Sequence, residues 1–312
     1  MNKIFTFPGQ GSQAVSMGKD FYDNFDIAKK VFQEVDETLG KSLSKIMFEG
    51  PQETLTDTEN AQPAIMCCSI AMLRVLEQES GKKIQDLCKY VAGHSLGEYS
   101  ALCASEALTL SDTARLLKIR GESFASAGKA SKGGMVALLG ATVEQANEIS
   151  EKAKKAGEIC QIANDNTIGQ IVLSGHENSI DEAVKIATEM GVKKAIKLQV
   201  SGAFHSELMR PAVQNMEKAL ENIIISTPKV PLISNFTARA TSNHNEIKEN
   251  LINQITGGVR WRQTMLFCET NGIEEFVEIG NGKVLTGMVA KTCPNAKTFT
   301  INNIESLKEY LK

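Results

Sequence analysis

The sequence predicts an α/β protein in which a large domain with a mostly parallel sheet is interrupted by a small one. Three observations carry this. An apolar stretch, Tyr90-Val91-Ala92, runs into Gly93-His94-Ser95-Leu96-Gly97 and out into a helix-like run from Glu98. That is the strand, sharp turn and helix of a nucleophile elbow, the device of α/β-hydrolase-like sheets. Between about residues 130 and 199 the pattern changes to βαββαβ, the order of a ferredoxin-like unit. Strand-like stretches then resume at Pro228–Ser234 and Ile273–Ile279. The large α/β part is therefore expected over 1–129 and 200–312, with the small subdomain over 130–199.

Taken in order, Ile4–Phe7 reads as a buried first strand, followed by a Gly-rich turn and helical patterns to about Leu39. Gln62-Pro63-Ala64 is expected to open a helix, with Ile65, Ile70, Leu73 and Leu76 including several apolar positions at helical spacing. After the elbow, Thr109–Ala127 reads as a helix with Ser111 and Asp112 near its start. In the small subdomain the expected strands are Met135–Leu139, Ile159–Ala163, Gln170–Ser174 and Lys193–Leu198. Its expected helices run from Thr142 to about Ala156 and over Ile180–Glu189. Beyond Ile279, Gly280-Asn281-Gly282 leads into a further helix.

Bulk properties narrow the function. The 312 residues suit one large domain or two unequal ones. A formal net charge of −3, with no basic stripe, argues against a nucleic-acid partner. No apolar run approaches the ~20 residues of a membrane helix. The N-terminus lacks the longer apolar core and cleavage site of a signal peptide, so a cytoplasmic protein is expected. The seven cysteines, at 67, 68, 88, 103, 160, 268 and 293, are odd in number and without Cys-x-x-Cys spacing. Free buried thiols are expected, with no metal site.

Ser95 needs a base, and there are four histidines. His94 adjoins the nucleophile and is turned away by elbow geometry. His176 sits at a strand end, and His244 in a polar loop, solvated. His205, in Ser201-Gly202-Ala203-Phe204-His205-Ser206, lies where the chain returns from the inserted subdomain. That places it at the cleft, so it is the expected base. No acidic residue stands out to orient it, and a backbone carbonyl can do so instead. Gly9-Gln10-Gly11-Ser12-Gln13-Ala14 satisfies a dinucleotide fingerprint, but a charged helical run follows instead of a second strand. The same loop can aim Gln10 at a developing oxyanion. Gly282-Lys283 is not a phosphate loop, because Val277 replaces the required glycine and Val284 the hydroxyl residue. Arg120 follows a mostly apolar stretch, where a cation wants an anionic partner; a structural salt bridge remains the alternative.

Several segments in fixed order resemble the malonyl-CoA:acyl carrier protein transacylases, the stand-alone acyltransferases of bacterial fatty-acid synthesis. They are Phe7-Pro8-Gly9-Gln10-Gly11-Ser12-Gln13, Gln62-Pro63-Ala64, Gly93-His94-Ser95-Leu96-Gly97-Glu98-Tyr99, Arg120-Gly121, the stretch Asn164–Gly175, Phe204-His205-Ser206, Val259-Arg260-Trp261 and Glu278–Gly287. The resemblance covers nearly the whole chain. It implies Ser95 as the acylated nucleophile, His205 as its base, and the N–H groups of Gln10 and Leu96 as the oxyanion hole. It implies Arg120 as the clamp on a malonyl carboxylate and the main-chain carbonyl of Gln254 as the group orienting the histidine. Gln62, Asn164 and Asn166 match pocket-lining positions, and Phe204 accompanies malonyl selectivity. Malonyl-CoA and acyl carrier protein are the implied partners, with no cofactor, no membrane and a monomeric state. The chain departs from the family in Asn166-Thr167-Ile168-Gly169-Gln170, in Gly257-Gly258 and in Asn281, each where a loop proline is common. A serine hydrolase or thioesterase, a carrier-protein docking module and an acyltransferase of polyketide synthesis stay open as alternatives.

Overall fold

The computed structural model describes residues 2–312. Its larger sheet is built around β1 (Lys3–Phe7) and β2 (Tyr90–Gly93). A smaller sheet comprises β3 (Gly133–Leu139), β4 (Cys160–Thr167), β5 (Gln170–His176) and β6 (Lys194–Lys197). The chain then returns to the larger sheet with β7 (Leu232–Ile233), β8 (Ala240–Thr241), β9 (Glu275–Ile279) and β10 (Lys297–Ile301). The larger sheet runs β10-β9-β1-β2-β7-β8, parallel except for the β7–β8 hairpin.

Alternation along the parallel strands divides two cores, because successive side chains face opposite sides. Phe5, Phe7, Val91 and Val277 pack with the helix Thr58–Ser80, which is buried on almost every face. Ile4, Ala92 and Phe276 face the other way, onto the helices Trp261–Thr270 and Val284–Thr292. A parallel sheet covered on both sides explains why Ile4, Phe5 and Phe7 are all apolar, and the buried Thr6 among them donates its hydroxyl to Val277 O at 3.3 Å.

The smaller sheet has the order β4-β5-β3-β6, with every pairing antiparallel. Read from β6, its strands come fourth, first, third, second, the ferredoxin-like arrangement expected from βαββαβ. Val136, Leu138, Ile171 and Leu173 meet the helices Val143–Ala153 and Glu177–Glu189 on one face. Met135, Ala137 and Val172 on the other face join the main core. The edge of β4 is stitched to the larger subdomain: Val259 N–H donates to Ala163 O at 2.8 Å, and Asp165 N–H to Val259 O at 3.0 Å. The two connections between subdomains touch backbone to backbone. A Cβ on Gly128 would sit 2.2 Å from Ser201 O, and one on Gly202 2.5 Å from Gly128 Cα.

Several boundaries differ from the sequence reading. β4 continues four residues past Ala163, because its outer edge finds hydrogen bonds on Val259 as well as on β5. Asn164 and Asn166 thus lie on a strand. The helix expected to open at Gln62 starts at Thr58, so Pro63 stands inside it. This is near the N-terminus, where a missing N–H frees a single carbonyl. β7 has two residues where seven were expected, and β8 and β10 had no sequence signal that was read. His244 is exposed as expected, but it begins the helix His244–Thr256, whose N-cap is Asn243.

Candidate active site

The site forms where β2 turns into the short helix Gly97–Ala104. Ser95 sits at the bend with φ 54°, the left-handed region that costs a residue with a Cβ about 1 kcal/mol or more. The two flanking glycines are required by contact. A Cβ on Gly93 would fall 1.8 Å from Gly97 O, and one on Gly97 would fall 2.3 Å from Phe7 O. The bend is held from behind by Asn235, which is fully buried. Its Oδ1 accepts from Ser95 N–H at 2.7 Å, and its Nδ2 donates to Gly93 O at 2.7 Å. With Ser95 N–H so occupied, the neighbouring Leu96 N–H has no protein acceptor among the described residues. The same is true of the Gln10 N–H.

Ser95 Oγ lies 2.8 Å from His205 Nε2. The other ring nitrogen, Nδ1, is 2.8 Å from the main-chain carbonyl of Gln254. A carbonyl only accepts, so Nδ1 carries the proton and Nε2 presents its lone pair to the serine hydroxyl. Burial, reinforced by the charge of Arg120, pushes the His205 pKa down to about 3. The imidazole is therefore neutral at ordinary pH.

Arg120 is the third group on Ser95. Gly121, next to it, lets the helix Leu110–Ser131 press backbone against backbone on Thr58–Ser80, since a Cβ there would lie 2.6 Å from Glu59 Cα. That contact brings Arg120 beside Gln62. Its Nη1 donates to Gln62 Oε1 at 2.8 Å, and its Nη2 donates to Gln254 Oε1 at 2.9 Å and to Ser95 Oγ at 3.1 Å. The guanidinium also lies over the Phe124 ring, 4.2 Å from its centroid. All three acceptors are neutral, Nε has no partner, and the residue is 1% exposed. A buried cation so placed lacks an anion. Burial accordingly works against its charge. Behind it, Glu98 is fully buried, and burial raises its pKa to about 7.

These groups open on a cavity of about 230 Å³ lined by Gln10, Ser95, Arg120, Asn164, Phe204 and His205, among others. Phe204 packs on Phe124, ring centroids 5.4 Å apart. Gln62 and Asn166, expected on the pocket wall, stand one layer behind it. Gln62 backs Arg120, and Asn166 Oδ1 is 2.7 Å from His94 Nε2. His94 is turned away from the serine hydroxyl towards β4, and its ring meets the edge of Trp261. Two departures from the family pattern have local reasons. A Cβ on Gly257 would lie 2.7 Å from both Asn253 O and the Phe236 ring. Asn281 Nδ2 donates to Ser12 O at 2.6 Å, tying its loop to the Gln10 turn.

Sequence reasoning missed Asn235, Phe124 and Glu98. Glu98 had a signal, a charge opening an otherwise apolar helical run. Asn235 had none, because the elbow groups it holds, Ser95 N–H and Gly93 O, are more than a hundred residues away. The seven cysteines are free and buried. Among the described residues there is no cluster of metal-ligating side chains, and no helix is long and apolar enough to cross a membrane.

The acyl transferase domain family matches residues 4–306 of the chain. A malonyl CoA-acyl carrier protein transacylase of Bacillus subtilis is 43% identical over 309 residues, covering 99% of this chain and 96% of the relative. Its counterpart from Escherichia coli K12 is 32% identical over 99% of this chain and 98% of its own. The crystal structure of an acyl-carrier-protein-S-malonyltransferase from Bartonella henselae superposes with a TM-score of 0.96 at 46% identity, covering 100% of this chain and 98% of the other. A malonyl-transacylase solved in complex with a type II PKS acyl-carrier protein superposes with a TM-score of 0.95 at 32% identity, over 100% of this chain and 99% of that one.

Proposed function

The chain belongs to the acyl transferase family, and from that premise we infer that it moves a malonyl group from malonyl-CoA to the phosphopantetheine thiol of acyl carrier protein, supplying fatty-acid synthesis. The observation that carries the malonyl reading is Arg120, buried, without a carboxylate partner, and 3.1 Å from Ser95 Oγ.

The reaction is ping-pong. His205 Nε2 takes the Ser95 proton as Oγ attacks the thioester carbon. The tetrahedral oxyanion is held by the free N–H groups of Gln10 and Leu96, the latter at the start of the elbow helix. The tetrahedral intermediate collapses, the C–S bond breaks, and His205 returns its proton to the departing CoA thiolate. Malonyl-Ser95 remains. The carrier thiol then repeats the sequence in reverse, losing its proton to His205 and displacing Ser95 Oγ. The Gln254 carbonyl does the work usually given to a triad carboxylate, holding Nδ1–H and the ring orientation.

Arg120 supplies selectivity. A malonyl carboxylate meets a desolvated guanidinium, whereas an acetyl group leaves that charge unpaired. Phe124 and Phe204 wall the acyl pocket, with Asn164 at its rim and Gln62 and Asn166 supporting Arg120 and His94 from behind. No step calls for a cofactor or metal. A cytoplasmic setting is supported by seven free buried thiols, and we take the working unit to be a monomer.

The test is mass spectrometry after incubation with malonyl-CoA. Wild type should gain one malonyl group, release CoA in a burst and stall until carrier protein is added. A folded Ser95→Ala variant should gain nothing. Sustained CoA release without carrier would make the protein a hydrolase, and no malonyl adduct would leave it a docking module.

A further inference from the structure

Arg120 and Glu98 are both almost fully buried, and they do not touch. Between them stands the side-chain amide of Gln254. Its Oε1 accepts from Arg120 Nη2 at 2.9 Å, and its Nε2 donates to Glu98 Oε2 at 2.6 Å. The cation faces the negative end of the amide, and the carboxylate faces the positive end. A reversed amide would set NH2 against guanidinium and oxygen against carboxylate, so the two charges fix one orientation. The same Nε2 also reaches Ser95 O at 3.1 Å, and the same residue's carbonyl holds His205. A direct ion pair would satisfy Arg120 and leave it nothing for a substrate. A carboxylate one amide away offsets part of the cost of burying the charge and leaves the guanidinium unpaired.

We propose that Glu98 is a positioning residue for the selection of acyl groups that carry a second carboxylate: through the Gln254 amide it holds the Arg120 guanidinium aimed at the space beside Ser95 and offsets part of the cost of burying its charge there. This rests on the malonyl reading above. Asn235 N–H donates to Glu98 Oε2 at 3.3 Å, and the Ser234 side chain also hydrogen-bonds the carboxyl. The titratable or charged groups near it are Arg120 from the helix Leu110–Ser131, Tyr99 on its own helix, and His205 beyond Gln254; of the three, Arg120 alone is charged at neutral pH. Burial sets the Glu98 pKa near 7, so the counter-charge is present above that pH and lost below it. His205, held down near 3, stays neutral over the same range and does not contribute.

The full-length protein is offered malonyl-CoA and acetyl-CoA in competition, and the acyl-enzyme masses are scored. In Glu98→Gln the malonyl-to-acetyl ratio should fall by about tenfold, with KM for malonyl-CoA rising more than kcat falls. Glu98→Asp, which keeps the charge, should recover part of the ratio. The wild-type ratio should itself fall as pH drops from about 8 to about 6. A folded Glu98→Gln protein whose ratio stays within about twofold of wild type overturns the proposal. Should that variant not fold, a wild-type ratio that is flat over this pH range overturns it. Wild type that forms no malonyl-enzyme at all overturns the malonyl reading, and this proposal with it.

Discussion

Replacing Asn235 by Ala tests how the nucleophile is held. The side chain makes two 2.7 Å hydrogen bonds to backbone groups on either side of the elbow, Ser95 N–H and Gly93 O. Gln254 Nε2 adds a third at 3.3 Å. Alanine leaves two buried backbone groups unpaired, each costing about 1–3 kcal/mol. The expected loss of stability is therefore about 2–6 kcal/mol, within a total of about 5–15 for an ordinary domain. Kinetics should suffer separately. Ser95 is at φ 54°, and without its anchor the peptide can relax towards negative φ, drawing Oγ away from His205. A displacement of about 1 Å costs on the order of a hundredfold in rate. Urea unfolding measures the first effect, and rapid-quench acyl-enzyme formation measures the second. Asn235→Asp keeps the acceptor for Ser95 N–H but sets a buried carboxylate oxygen against Gly93 O, and should be at least as destabilising as alanine. An Asn235→Ala protein that loses less than about 1 kcal/mol and acylates within about threefold of wild type would refute the reasoning.

Two further substitutions probe the pocket. Arg120→Ala should weaken malonyl loading by about 1.5–3 kcal/mol, the worth of a charge-assisted contact, and raise acetyl relative to malonyl; an unchanged ratio in a competition assay would make Arg120 purely structural. Phe204→Ser opens volume beside Phe124 and should raise methylmalonyl loading relative to malonyl, by no more than the roughly 1–3 kcal/mol that a methylene-sized difference is worth. Equal relative loading by variant and wild type would place the selectivity elsewhere.

Much of the fold is legible because it is written in local patterns. The elbow declares itself in five consecutive residues, since two glycines are needed where strand and helix backbones come within a Cβ's reach. The small subdomain shows in the order of its elements, and β1 in a mostly apolar run that only a sheet covered on both faces can bury. Less legible are strands whose partners lie far off. β7 is a two-residue strand beside β2, and β4 is prolonged by Val259, almost a hundred residues downstream. The missed Asn235 is of the same kind.

By itself, the sequence determined which groups are available for chemistry: one serine at an elbow, one histidine at the return from the inserted subdomain, and one arginine at the end of an apolar stretch. Only the tertiary structure decided what state they are in. The packing of Gly121 against Glu59 puts Arg120 next to Ser95, and the helix His244–Thr256 brings a carbonyl, not a carboxylate, to His205. Burial lowers the His205 pKa to about 3 and raises that of Glu98 to about 7. The reason is that residue type sets a group's chemistry locally, whereas its charge, tautomer and partner depend on what surrounds it. Those surroundings include segments as far apart as Ser95 and Gln254, separated by 159 residues, joined only when the core closes.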